Sequence, residues 1–140
     1  MTEQSDLKDL TMLGHEAQPS KNLEAFPNRT PDRYYLVRLV TDEFTNMCPA
    51  TGQPDFATIT LEYVPDQKIV ESKSYKLYLW SYRNEGVFHE HVTNVILDDI
   101  VAALDPHYCK VIGAFNTRGG IDITIEAEHI KTPAAKDAVR

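Results

Sequence analysis

Phe56-Ala57-Thr58-Ile59-Thr60-Leu61-Glu62-Tyr63-Val64 alternates with a period of two and is rich in β-branched and aromatic residues, as a strand with one buried face should be. On its N-terminal side, Tyr34-Tyr35-Leu36-Val37-Arg38-Leu39-Val40 has the same composition and reads as a second strand. On its C-terminal side, Val64-Pro65-Asp66-Gln67 supplies turn residues, and Lys68-Ile69-Val70 leads into a helix starting near Glu71 or Ser72. Tyr75, Tyr78, Leu79 and Tyr82 share one face of that helix and Lys73, Lys76, Trp80 and Arg83 another, so a basic stripe runs beside an aromatic one. A second helix is expected over about residues 91–104, with Val92, Val95, Ile96, Ile100 and Ala103 on a common arc, stopping before Asp105-Pro106. Residues 109–116 and 121–129 then read as a hairpin around Thr117-Arg118-Gly119-Gly120.

The order ββααββ describes an α+β fold in which a four-stranded antiparallel sheet carries two helices on one face. Such a layer leaves two open edges and an uncovered face, which points to association with copies of itself. Residues 1–33 are polar, carry Pro19, Pro27 and Pro31, and read as an irregular N-terminal arm with at most one helical turn near Leu7 to Leu13. Residues 34–130 read as a single catalytic domain, and residues 131–140 as a flexible C-terminal tail.

Between the first two strands the periodicity is lost. Glu43-Phe44-Thr45-Asn46-Met47-Cys48-Pro49-Ala50-Thr51-Gly52-Gln53-Pro54-Asp55-Phe56 reads as neither helix nor strand. Pro49 and Pro54 each fix their own φ and restrict the residue before them, while Thr51-Gly52 supplies a turn, so a stiff loop is expected. Such a loop presents a nucleophile, Cys48, and a proton source, Asp55, from fixed directions. A lone cysteine is often an apolar filler, but the neighbours of Cys48 are Thr45, Asn46, Pro49 and Thr51 rather than a periodic apolar run. Cys109, within Tyr108-Cys109-Lys110-Val111-Ile112, sits in such a run and is assigned no chemistry.

Composition narrows the classes of partner. Fourteen Lys and Arg against twenty-one Asp and Glu leave a net charge of -7, which disfavours wholesale attraction to DNA or RNA, so an anionic ligand must meet a local cluster. Two cysteines about sixty positions apart, with no Cys-x-x-Cys pair, give neither a disulfide framework nor zinc-ribbon spacing. No apolar run reaches membrane-spanning length and Met1-Thr2-Glu3-Gln4-Ser5-Asp6 lacks the features of a signal peptide, so a cytoplasmic protein is expected.

Two further groups stand out. Lys73 and Lys76 lie one turn apart and can converge on a phosphate, with Arg118 in its Gly-flanked turn closing the other side; the plainer reading of the run is a solvated basic face. In Phe88-His89-Glu90-His91, Glu90 is either a helix-start carboxylate or an acceptor for the paired N–H donors of a guanine-like or pterin-like ring.

The segment Glu43-Phe44-Thr45 through Cys48-Pro49 to Thr51-Gly52-Gln53-Pro54-Asp55-Phe56, the run Glu71-Ser72-Lys73-Ser74-Tyr75-Lys76-Leu77-Tyr78, the pair His89-Glu90 and the turn Arg118-Gly119-Gly120 together resemble the NADPH-dependent 7-cyano-7-deazaguanine reductases, the nitrile reductases of queuosine biosynthesis. The resemblance spans about residues 26–128 and is to the short, single-domain type. It implies the tunnelling fold shared with GTP cyclohydrolase I, in which subunits join their sheets into a barrel and sites lie between subunits. It also implies that Cys48 forms a covalent thioimide, that Asp55 is the proton donor, and that Val70, Glu71, Ser72, His89 and Glu90 bind substrate. Lys73, Lys76 and Arg118 become the grip on NADPH as co-substrate, and His89 a second proton-transfer group.

The chemistry is consistent with these residue types. A nitrile carbon is a weak electrophile that a soft thiolate converts into a C=N bond; because a free thiol has a pKa of ~8.5, Cys48 needs activation. No Gly-x-Gly-x-x-Gly follows a strand, so a Rossmann cofactor site is not expected. Two rival readings remain open on the residues: a zinc hydrolase of the same fold using Cys48, Cys109, His89 and His91, and a non-catalytic purine-binding ring.

Overall fold

A computed structural model of the chain describes residues 17–140; the helical turn expected near Leu7 to Leu13 lies outside the described residues. The elements in chain order are β1 (Ala25–Pro27), β2 (Val37–Met47), β3 (Pro54–Val64), β4 (Lys68–Val70), α1 (Ser72–Trp80), α2 (His89–Leu104), β5 (Tyr108–Arg118), β6 (Ile121–Ile130) and α3 (Pro133–Val139). β2, β3, β5 and β6 form one antiparallel sheet in the order β2-β3-β5-β6, and α1 and α2 cover one of its faces, as the ββααββ reading expects.

The alternation of β3 is realised as read. Ala57, Ile59, Leu61 and Tyr63 are buried while Thr58, Thr60 and Glu62 face the other way. The register sets Ile59 against Gly113, Leu61 against Val111 and Tyr63 against Cys109, so β5 contributes its own inward row. Tyr75, Tyr78 and Leu79 from α1, Tyr82 from the turn that follows it, and Val92, Ile96 and Ile100 from α2 close the core. Each such side chain, fully buried, contributes roughly 1.5–3 kcal/mol. The stripe of Lys73, Lys76, Trp80 and Arg83 is exposed.

Four local expectations are corrected. The strands around Cys48 are longer than read: β2 runs on to Met47 and β3 begins at Pro54, leaving only six residues of loop. A bulge between Thr41 and Phe44 shifts the register, so the inward row passes from Val37, Leu39 and Thr41 to Phe44 and Asn46, and the simple alternation disappears from the sequence. Pro54 is tolerated because it opens its strand.

Part of the expected arm is a strand, since β1 pairs antiparallel with β4, Phe26 opposite Ile69. The expected flexible tail is helical over Pro133–Val139, where Pro133 starts the helix and Ala135 is completely buried against Val64 and Tyr108. In α2 the buried arc contains Thr93 and Leu97, whereas Val95 is 41% exposed, and the helix starts at His89 rather than near residue 91.

Thr93 is inward because Gly113 makes room for it. Its Oγ1 donates to the backbone oxygen of His89 at 2.8 Å, and a Cβ at Gly113 would stand 2.6 Å from that Oγ1. Gly113→Ala must therefore push α2 off the sheet or break the Thr93 bond. A loss of about 1–3 kcal/mol is expected, read as a lower denaturant midpoint at unchanged slope.

Candidate active site

Cys48 stands at the tip of the β2–β3 hairpin. Its N–H donates to the Gln53 oxygen and its carbonyl accepts from Gly52 N–H, both at 2.8 Å, which folds the six-residue loop back on itself. Gly52 has a φ of +71°, a conformation that favours glycine. The thiol is partly exposed, and its pKa is pulled below the ordinary range by hydrogen bonding from the Thr51 side chain, then from the backbone of Thr51 and Ala50. Slight desolvation and the charge of Asp55 oppose this, but the donors prevail. This meets the need for activation from the loop itself.

Asp55 is the second residue of β3 and is buried, directly across the ladder from Asn46. Its Oδ2 lies 3.1 Å from His89 Nε2 and its Oδ1 3.6 Å from Arg118 Nη2. The imidazole is held flat against Phe115, with ring centroids 3.8 Å apart and planes 9° apart. His89 is the first residue of α2 and is delivered by a strapped segment. Met47 N–H donates to Glu85 O at 2.8 Å, Val87 N–H to Met47 O at 3.2 Å, and Asn46 Nδ2 to Val87 O at 2.7 Å.

Arg118, expected to grip phosphate, is engaged within the chain. Its guanidinium donates to the Pro54 carbonyl and pairs with Asp55. Gly119 and Gly120, at φ of +58° and +76°, form the tight turn that brings it back over the start of β3.

The other expected residues lie along the start of α1 and the start of α2. Val70 is buried and donates its N–H to Tyr63 Oη at 3.0 Å. Glu71 is the N-cap of α1, its carboxylate accepting from Lys73 N at 3.1 Å and Ser74 N at 2.6 Å. Ser72 and Lys76, with Trp80 and Arg83, line a cleft of about 700 Å³ that they share with Thr45, Met47, Pro54 and Phe56. Cys48, Asp55 and His89 are outside its lining, and so is Lys73, which is exposed. Glu90 is exposed in the first turn of α2, where the helix dipole favours it.

The ligand set of a zinc hydrolase does not come together. Cys109 is fully buried in β5 opposite Tyr63, and burial pushes its thiol up to about 12, whereas Cys48 is at the hairpin tip. Among the described residues no three His, Cys, Asp or Glu side chains converge as a metal site would require.

The family model described as QueF-like protein matches residues 54–134. The chain belongs to this family. It is 65% identical over 130 residues to the NADPH-dependent 7-cyano-7-deazaguanine reductase of Syntrophus aciditrophicus, a match covering 93% of each chain. It is 60% identical to the protein of the same name from Thermomicrobium roseum, over 82% of this chain and 90% of that one. Among solved structures, the apo archaeosine synthase QueF-Like superposes with a TM-score of 0.65 at 28% identity, over 70% of this chain and 96% of that one. The QueF-like match spans β3 to the start of α3, so it holds Asp55, Glu71, His89 and Arg118, while Cys48 falls in the longer alignments with the curated relatives.

Asn46, buried opposite Asp55, joins these residues through the fold and not through a motif. An amide at an inward position two residues before a candidate nucleophile is the signal, and it is visible only once β2 is known to continue past its bulge.

The loop donors make a direct prediction for Cys48. Its alkylation by iodoacetamide should rise with pH through a midpoint below that of a free thiol, and Thr51→Val should move the midpoint upward. Cys109 should resist alkylation until the protein unfolds.

Proposed function

We propose that the protein reduces the nitrile of 7-cyano-7-deazaguanine to the aminomethyl group of 7-aminomethyl-7-deazaguanine, a step of queuosine biosynthesis, through a thioimide on Cys48. The observation that carries this reading is a thiol of lowered pKa in the hydrogen-bonded loop of the β2–β3 hairpin, the same loop that leads into a buried carboxylate paired with an imidazole. The names of the relatives specify the same nitrile and the same reductant.

In the first step the Cys48 sulfur bonds to the nitrile carbon, one C–N π bond opens, and a proton passes from Asp55 to the nitrogen. His89, 3.1 Å from Asp55, is placed to replenish that proton. NADPH, when bound, supplies one hydride to the thioimide carbon and, from a second molecule, one hydride to the imine. Between the two, the C–S bond breaks, the sulfur leaves with its electron pair, and the imine remains. A proton returned through the Asp55–His89 pair completes the amine.

Substrate recognition falls to Val70, Glu71, Ser72, His89 and Glu90. A carboxylate suits the adjacent N–H donors of a deazaguanine ring, and Glu71, though capping α1, retains lone pairs for this. Lys73 and Lys76 are assigned to the phosphates of NADPH, with Arg118 joining them if its guanidinium leaves Pro54. No dedicated dinucleotide fold is required for a grip of this kind.

A full site takes residues from more than one copy of the chain. β2 and β6 end the sheet, and its helix-free face exposes Val40 and Phe56, which supports closure into a multi-subunit barrel with sites between subunits. Neither nucleic acid nor membrane is assigned as a partner; among the described residues no helix is long and apolar enough to cross a membrane. A cytoplasmic setting fits the pathway.

The decisive experiment incubates the protein with 7-cyano-7-deazaguanine and follows its mass. An adduct on the Cys48 peptide without NADPH, and two NADPH consumed per product with it, are the expected results; Cys48→Ser should abolish both. Absence of nitrile-dependent NADPH oxidation in the unaltered protein would overturn the reading.

Three substitutions separate the roles. Lys76→Ala should raise KM for NADPH by about tenfold at nearly constant kcat, as loss of one charge-assisted contact implies. Asp55→Asn should cut kcat by on the order of 10²-fold or more. Arg118→Ala should raise KM for NADPH if it grips phosphate and lower kcat if it serves Asp55.

A further inference from the structure

Asn46 is fully buried at the centre of the candidate site and its side chain is only half satisfied. Nδ2 donates to Val87 O at 2.7 Å, but Oδ1 has no hydrogen-bond partner. Leaving a buried amide oxygen without a donor is destabilising, which points to a donor that is present only in another state of the site. Asn46 is the ladder partner of Asp55, and side chains directly opposite in an antiparallel pair stand roughly 4.5–5.5 Å apart at Cβ. A carboxylate has no proton to offer an amide oxygen, whereas a carboxylic acid has one.

We propose that Asn46 is a positioning residue of the proton step: its Nδ2 holds the Val87–His89 segment against the hairpin, and its Oδ1 accepts from Asp55 when that carboxyl carries the proton destined for the nitrile nitrogen. The first half rests on the strap itself. Asn46 adds a side-chain bond to the two backbone bonds at Met47, and the strapped segment runs into His89 two residues later. The second half gives the loaded acid a fixed direction, with Oδ2 toward His89 and Oδ1, which the Arg118 guanidinium also faces at 3.6 Å, holding the proton toward Asn46 until substrate arrives.

The proposal rests on the reductase reading, and it predicts a specific division of effects. In Asn46→Ala, Cys48 should be alkylated by iodoacetamide as in the unaltered protein, since the loop donors to sulfur are untouched, while the nitrile adduct should form about tenfold more slowly because its nitrogen must be protonated in that step. Turnover should fall by about tenfold or more, with KM for both substrates within about twofold, and the pH dependence of kcat should shift. Asn46→Asp keeps the shape but sets an oxygen against Val87 O. Its activity should recover as the pH is lowered, because a protonated carboxyl again donates to that oxygen.

Mass spectrometry, steady-state kinetics across pH and thermal unfolding are measured on the same preparations, with the unaltered protein as control. A folded Asn46→Ala with unchanged kcat and pH profile overturns the proposal. So does loss of iodoacetamide alkylation and turnover together in both variants, which would mark Asn46 as structural only. Should Asn46→Ala fail to fold, Asn46→Asp decides alone: recovery at low pH supports the proposal and a flat profile overturns it. An unaltered protein that forms no adduct and oxidises no NADPH sinks the reductase reading and this proposal with it.

Discussion

Two backbone hydrogen bonds at Met47, one to Glu85 and one from Val87, hold the site together. They join the end of β2 to the segment that becomes α2, and so fix the distance between a hairpin tip and a helix start that no sheet contact would set. Everything reactive hangs on one side or the other. Cys48 follows Met47 directly, Asp55 returns on the paired strand, and His89 follows the strapped segment. Thr93 on Gly113 and Phe115 beneath the imidazole then leave His89 little freedom to turn. Orientation of this kind is what converts three ordinary side chains into a constellation.

The thiol and the acid make opposite demands on their surroundings. Asp55 near Cys48 raises the cost of a thiolate, and a low-dielectric site would raise it further. The loop resolves this with dipoles: Thr51 and Ala50 aim donors at sulfur while the thiol stays open to solvent, so no cation is spent on it. The guanidinium of Arg118 stands beside Asp55 instead, with the imidazole of His89 on the other carboxyl oxygen.

The sheet was legible wherever one rule governed a segment. β3 alternates without interruption, α1 keeps its aromatic stripe inward, and the Gly119-Gly120 turn demands a hairpin, so the order ββααββ followed directly. The misreadings fall where two rules compete. The bulge after Thr41 disguised the second half of β2 as loop, and β4 is three residues whose strand character depends on a distant partner, β1. The burial of Thr93 answers to a missing side chain on another strand, which no helical wheel displays. For the candidate site, Cys48 and Asp55 stood out as an expected nucleophile and acid at the two ends of a segment held by Pro49 and Pro54. The engagement of Arg118 with Asp55, and the place of Asn46, depend on which residues face each other across strands and were not.

A single chain supplies the reacting groups but not their shelter. Cys48 stands at a hairpin tip, Glu90 is solvent-exposed, and the cleft beside α1 is open with Trp80 and Phe56 on its walls. On the proposed chemistry an imine must survive between two hydride deliveries, and imines hydrolyse in water. Exclusion of water therefore has to come from surfaces that one copy does not provide. The edges β2 and β6 and the apolar residues on the helix-free face are the surfaces a second copy would cover. On this view the same unsatisfied edge that a monomer would carry as a liability is the means by which the intermediate is enclosed.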